Sequence, residues 1–234
     1  MARIVLITGG TRGIGFAVAE ALIRAGDKVA LTGTTADGVV TAEHALSAGG
    51  SQVVGIECDV RDRAAVQRAV ETVVAKFGGL DVLVNCAGVG VGVPVAEMPH
   101  DEWDRILGTN LTGVFNCCKA AIPHLKTRGG GWIVTISSLS STNPFPGGAA
   151  YCASKAGLNA FSDALMQELR YDNIRVTTVL PGSVATGFSG RAAESGADWK
   201  LLPGDVAHAI VDLLDHPARS LPSRVEIRPS RPKK

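Results

Sequence analysis

The stretch Arg3-Ile4-Val5-Leu6-Ile7-Thr8-Gly9-Gly10-Thr11-Arg12-Gly13-Ile14-Gly15 decides the architecture. Its first half is apolar at successive positions, as in a strand covered on both faces. Its second half is a glycine-rich turn, and Val18, Ala21 and Leu22 then follow at helical spacing. A chain with 28 glycines produces glycine turns by chance, so the context carries the reading. A glycine turn between a buried strand and a helix start lets the backbone approach a pyrophosphate, whose charge is favoured by free N–H groups and the helix dipole. A dinucleotide is therefore expected on the loop formed by Gly9, Thr11, Arg12, Gly13, Ile14 and Gly15.

Working outward, apolar runs of the same kind recur at Lys28 to Leu31, Gln52 to Ile56, Asp81 to Val84, Trp132 to Ile136, Ile174 to Leu180 and Arg224 to Ile227. Segments of helical spacing, such as Val66, Ala69, Val70 and Val73, separate them. Right-handed crossovers turn this alternation into a single-domain α/β fold, a Rossmann-like doubly wound parallel sheet of about seven strands with helices on both faces. Its ligand crevice lies beyond the carboxyl ends of the strands. One domain over 1–228 is expected, followed by a basic tail at 229–234. The 234 residues suit one large α/β domain, and a balance of 46% hydrophobic and 19% charged residues with net charge +1 lacks the basic surplus that nucleic acid demands. Five cysteines without a Cys-x-x-Cys pair, and five scattered histidines, predict neither a metal site nor a disulfide framework. The apolar run at Ile4 to Ile7 is too short for a signal peptide or a membrane span, so a cytoplasmic protein is expected.

The spacing Gly9, Gly13, Gly15 departs from the general G-x-G-x-x-G fingerprint. It resembles instead the short-chain dehydrogenase/reductase family, whose Thr-Gly-x-x-x-Gly-x-Gly signature matches at every fixed position from Thr8 to Gly15. The resemblance extends to Asp59 and Val60, placed like the family's adenine-contacting segment, and to Asn85-Cys86-Ala87-Gly88, where Cys86 replaces the second Asn of Asn-Asn-Ala-Gly. It also implies that Pro181, Gly182, Val184 and Thr186 hold the nicotinamide carboxamide. Cofactor choice follows from charge, since an NAD site needs a carboxylate at the end of the second strand for the ribose 2′-OH. That stretch reads Gly33-Thr34-Thr35, while Arg12 offers a guanidinium to a 2′-phosphate and Thr34 or Thr35 a hydroxyl. NADP(H) is favoured over NAD(H), with Asp37 close enough downstream to keep NAD open.

Tyr151 and Lys155 stand four apart on one helical face, and Ser138 ends the strand Trp132 to Ile136 facing the same crevice. This spacing looks like the family's catalytic set, with Asn110 as its fourth member. Strand alternation sends Ser137 and Ser138 to opposite faces, and the family pattern takes the second. Hydride addition to a carbonyl generates an alkoxide that needs a proton donor, the role of Tyr151. A tyrosine titrates near 10 in water, so it needs a cation, for which Lys155 is the evident source. Ser138 would polarise the substrate oxygen. The resemblance further gives Tyr151 and Lys155 contacts with the cofactor, Lys155 on the nicotinamide ribose, and gives Asn110 a water that relays protons to Lys155.

Substrate choice is expected from the loops Gly88 to Glu97 and Thr186 to Lys200, with Phe145, Phe188 and Trp199 as candidate walls for a modest apolar carbonyl or alcohol. Two enzyme readings stay level, a general carbonyl reductase and a 3-oxoacyl thioester reductase of the fatty-acid type. Arg128 is the cation available to an acidic carrier for the second. A dinucleotide-binding redox sensor without turnover is the third reading, against which the complete Asn110, Ser138, Tyr151 and Lys155 set counts. The resemblance also implies a homodimer or homotetramer paired through the helices of Trp103 to Ala121 and Tyr151 to Arg170.

Overall fold

The computed structural model describes residues 2–47, 52–90, 92–188 and 198–232. Seven parallel strands form one sheet: β1 (Ile4–Thr8), β2 (Lys28–Gly33), β3 (Val53–Glu57), β4 (Val82–Asn85), β5 (Gly131–Ile136), β6 (Ile174–Pro181) and β7 (Arg224–Ile227). They coincide with the seven apolar runs of the sequence. Their order is β3-β2-β1-β4-β5-β6-β7, so the chain reverses direction across the sheet between β1 and β4 and opens a crevice there. The register sets Thr8 beside Asn85 and Asn85 beside Thr135, which brings the carboxyl ends of β1, β4 and β5 level.

Among the described residues, seven α-helices fill the two faces: α1 (Gly13–Arg24), α2 (Ala36–Leu46), α3 (Arg63–Phe77), α4 (His100–Leu107), α5 (Gly113–Thr127), α6 (Ala149–Leu169) and α7 (Pro203–Leu214). Val5 and Ile7 of β1 point into a core shared with Val18 and Leu22 of α1 and Ile210 of α7. Ile4 and Leu6 point into the opposite core, against Val70 of α3, Leu125 of α5 and Leu158 of α6. This double burial is why the strands read as unbroken apolar runs instead of alternating ones. Edge strand β7 alternates exposed Arg224 and Glu226 with half-buried Val225 and Ile227.

Local signals mark the ends. The Asp62 carboxylate accepts from the N–H groups of Ala64 and Ala65 at the start of α3, and Gly78 closes that helix at φ 88°. Between α4 and α5 the chain does not break but widens into a π-helical turn, Gly108–Thr112. Such a turn redirects side chains within a continuous helix, and here it carries Asn110. No helix among the described residues is long and apolar enough to cross a membrane.

Candidate active site

The glycine loop is folded onto itself and onto β4. Thr8 Oγ1 accepts from the N–H groups of Cys86 and Ala87, both at 3.1 Å, and ties the ends of β1 and β4 together. Gly9 stands at φ 64°, and a Cβ there would lie 2.8 Å from Ala87 Cα. A Cβ at Gly15 would lie 2.3 Å from the Gly9 carbonyl oxygen, so a side chain is excluded at the point where α1 meets the loop. Thr186 reaches across to this loop, its methyl 3.4 Å from where a Cβ of Gly13 would stand. The result is an open helix N-terminus framed by backbone, a cradle that fits a pyrophosphate.

At the end of β2, Thr35 caps α2 by accepting from the Gly38 N–H at 3.3 Å, which leaves its hydroxyl proton to donate, and Thr34 and Thr35 are both exposed. Asp37 lies beyond this cap, in the first turn of α2. Arg12 is exposed and ion-paired to no other described residue. Asp59 is held by a feature the sequence reading missed: Arg61, two residues on, contacts its carboxylate at 2.6 Å and holds its pKa below the ordinary value. The Val60 carbonyl accepts from Asn116 Nδ2 at 3.0 Å, which fastens the segment to α5. At the other end, Gly182 donates its N–H to the Ile227 carbonyl at 2.8 Å and Val184 pairs with Leu201, so Pro181 to Thr186 is braced from β7 and the chain before α7.

Ser138, Tyr151 and Lys155 converge past the carboxyl end of β5, as spacing along α6 requires. The Tyr151 hydroxyl is hydrogen-bonded to the Ser138 side chain, and the Ser138 oxygen also accepts from the Ser140 N–H at 3.1 Å. Ser137 faces the other way, into the protein, where its hydroxyl donates to Asn159 Oδ1 at 2.6 Å. Lys155 is buried, donates from Nζ to the Ile136 carbonyl at 2.8 Å, and has its pKa lowered to about 8 by desolvation. Asn110 is fully buried. Its Oδ1 accepts from the Val89 N–H at 2.8 Å, and its Nδ2 donates to the Val89 carbonyl at 2.9 Å and to Ser154 Oγ at 3.0 Å. It thus clamps the loop after β4 to α6, a role that neither motif nor spacing announced.

One electrostatic expectation comes out differently. Burial raises the Tyr151 pKa and the Ser138 hydrogen bond only partly offsets this, so the tyrosine stands above its ordinary value, not below it. The reason is geometric, because Lys155 Nζ is drawn to Ile136 and sits 5.9 Å from the Tyr151 ring centroid. Cys86, in the altered Asn-Cys-Ala-Gly turn, is a thiol whose pKa burial pushes up to about 11.

Phe188 packs edge-on against Tyr151 with centroids 5.8 Å apart, and a Cβ at Gly90 would lie 2.9 Å from Phe188 and 3.1 Å from Tyr151. Phe145 is exposed and lies against Gly148. Residues 189–197 and Val91 of the two substrate loops, and Lys233 and Lys234 of the tail, lie outside the described residues. Arg128 pairs with Asp81 at 2.8 Å, where β4 and β5 begin, at the end of the sheet opposite this site. Among the described residues no three His, Cys, Asp or Glu side chains are grouped to hold a metal.

Glycine betaine reductase of Emericella nidulans is 36% identical over 97% of this chain, which spans 19% of that much longer protein. The 3-oxoacyl-[acyl-carrier-protein] reductase of Salmonella typhimurium is 39% identical over 80% of this chain and 75% of its own length. An alcohol dehydrogenase from the archaeon Thermococcus sibiricus, solved with 5-hydroxy-NADP, superposes over 100% of both chains with a TM-score of 0.92 at 29% identity. Residues 3–196 match the family model described as short chain dehydrogenase, and the chain belongs to that family of NAD(P)-dependent oxidoreductases.

Proposed function

We propose that the protein is an NADP(H)-dependent reductase of carbonyl compounds, running in reverse as an alcohol dehydrogenase. The observation that carries this reading is the convergence of Ser138, Tyr151 and buried Lys155 at the carboxyl end of β5, next to the glycine cradle. The nucleotide supplies the hydride. Tyr151 gives its proton to the substrate oxygen as negative charge develops, and Ser138 donates a hydrogen bond to the same oxygen. Lys155 holds the ribose and, with the positive nicotinamide ring of the oxidised cofactor, favours the phenolate. Asn110 keeps Val89 and Ser154 in place, next to the water path to Lys155 that the family resemblance implies.

Exposed Arg12 and Thr34 at the end of β2 support NADP over NAD. Phe188, Phe145 and the small residues Gly88 to Gly90 support a compact apolar substrate. The thioester reading rests on the likeness to the Salmonella typhimurium reductase, but Arg128 is taken by Asp81 away from the crevice. Residues 1–228 would form the catalytic unit. Five free cysteines, four of them buried, fit a reducing cytoplasm. The outer face of α5 and α6, where Phe115 and Phe161 meet edge-on at 6.5 Å, would pair two copies.

The test is NADPH oxidation with an acetoacetyl thioester beside simple ketones and aldehydes, repeated with NADH and with Tyr151→Phe. Preference for simple carbonyls with NADPH, lost in the variant, supports the reading. Preference for the thioester moves it to the acyl class, and tight NADPH binding without turnover on any carbonyl sinks it in favour of a sensor.

A further inference from the structure

We infer that Asn159 is a positioning residue that sets the Ser138 hydroxyl against Tyr151; this rests on the catalytic reading above. Asn159 is buried on α6 one turn beyond Lys155 and two beyond Tyr151, on their face of the helix. Its carboxamide spans the turn that carries Ser138. Oδ1 accepts from the Ser137 hydroxyl at 2.6 Å, a proton for which the Lys155 carbonyl at 3.3 Å is the weaker acceptor. Nδ2 donates to Ser141 Oγ at 2.8 Å, and that hydroxyl donates in turn to the Ser138 carbonyl at 2.6 Å.

One side chain on the helix of Tyr151 and Lys155 therefore grips the residue before Ser138 and, through Ser141, the backbone of Ser138 itself. β5 ends at Ile136, and the last strand contact is the Ser137 N–H on the Val179 carbonyl of β6 at 2.8 Å, so from Ser138 onward the turn depends on contacts of this kind. With the turn so held, the Ser140 N–H reaches the Ser138 oxygen at 3.1 Å, which leaves the Ser138 proton for the tyrosine or the substrate and polarises it for donation. An apolar residue at 159 would leave the buried Ser137 hydroxyl and the half-buried Ser141 hydroxyl to find other partners and free the turn to shift by a fraction of an ångström.

The experiment compares wild type, Asn159→Leu, Ser141→Ala and Tyr151→Phe with the panel carbonyl that the wild type reduces fastest. For Asn159→Leu, kcat is expected to fall about tenfold to a hundredfold, the cost of a small misplacement, with NADPH Kd by fluorescence within about twofold. Since the Ser138 contact lowers the Tyr151 pKa, loosening it moves the alkaline limb of the kcat profile to higher pH. A purely structural role would lower the yield of folded protein without moving that limb. Ser141→Ala reproduces the fall and the shift in weaker form, and Ser141→Thr rescues them. A folded Asn159→Leu enzyme with kcat and limb as in wild type overturns the inference; if that variant does not fold, an unimpaired Ser141→Ala does so. Turnover surviving in Tyr151→Phe would instead remove the catalytic reading beneath it.

Discussion

Lys155 Nζ lies 2.8 Å from the Ile136 carbonyl, so the last residue of β5 holds the buried ammonium of α6. Burial lowers its pKa from 10.5 to about 8. Below about pH 8 both folded and unfolded chains carry the charge, and folding bears the whole cost of burying it. Between there and 10.5 the unfolded chain binds more protons, so this contribution makes stability rise with pH, by about 3 kcal/mol in all. Urea unfolding of Cys86→Ala and of Cys86→Ala/Lys155→Met across this interval isolates the effect, because Cys86 is the cysteine whose titration Lys155 influences. A difference between the two that stays flat with pH would show that the lysine is not desolvated.

Tyr151→Phe removes the proton donor and little else. Its kcat/KM should fall by about 10² to 10⁴. Ser138→Ala should cost about 10² to 10³. Both should bind NADPH nearly as the wild type does, as fluorescence titration would record. Equal losses of cofactor affinity and turnover would point to damage of the cradle instead.

Arg12→Ala should weaken NADPH by about tenfold to a hundredfold, the worth of a charge-assisted phosphate contact, and leave NADH almost unchanged. Thr34→Asp places the missing carboxylate at the end of β2 and should turn the preference toward NADH. Competitive binding of the two nucleotides reads both variants, and an NADPH affinity indifferent to Arg12 would remove the argument for NADP.

Much of the molecule was legible in the chain because its signals are local. The seven runs became seven strands, most of them plain because parallel strands buried on both faces show no polar alternation, whereas the edge strand β7 alternates. The Gly9 to Gly15 loop was equally plain, because Gly15 has no room for a side chain. Contacts between distant segments were not legible. Arg61 on Asp59, Thr8 on the N–H groups of Cys86 and Ala87, and Asn110 on Val89 and Ser154 depend on which loops meet. Asn159 was within reach, four residues past Lys155 on a face already identified, but a polar residue on a helix commonly faces water. The balance between Tyr151 and Lys155 went astray because charge spacing along a helix does not reveal that Nζ is captured by a strand carbonyl.

Phe188→Ala should admit bulkier ketones, with kcat/KM for them rising about tenfold, on the scale of the space a few methylenes occupy. Gly90→Ala should act oppositely, because its methyl would press on both Phe188 and Tyr151. A size series of ketones checks the pair; identical size profiles in all three enzymes would place the substrate elsewhere.

Phe115 is 43% exposed and rests edge-on against Phe161. Light scattering should find a dimer or tetramer, and Phe115→Glu a smaller species, because a charge buried in an apolar contact is costly. An oligomer unchanged by this substitution would locate the contact on another face.

The wide turn at Gly108–Thr112 bears on which changes of chain length the protein can survive. Loops on the surface accept gained or lost residues at small cost. Here a single deletion would restore regular winding and erase the wide turn, leaving α4 and α5 in phase but removing the local widening that aims Asn110. Asn110 would swing out of its pocket, releasing Val89 and Ser154 together. A segment that looks like an ordinary helix to a comparison of substitutions is thus intolerant of deletion, and descendants of this chain are free to vary its letters far more than its count.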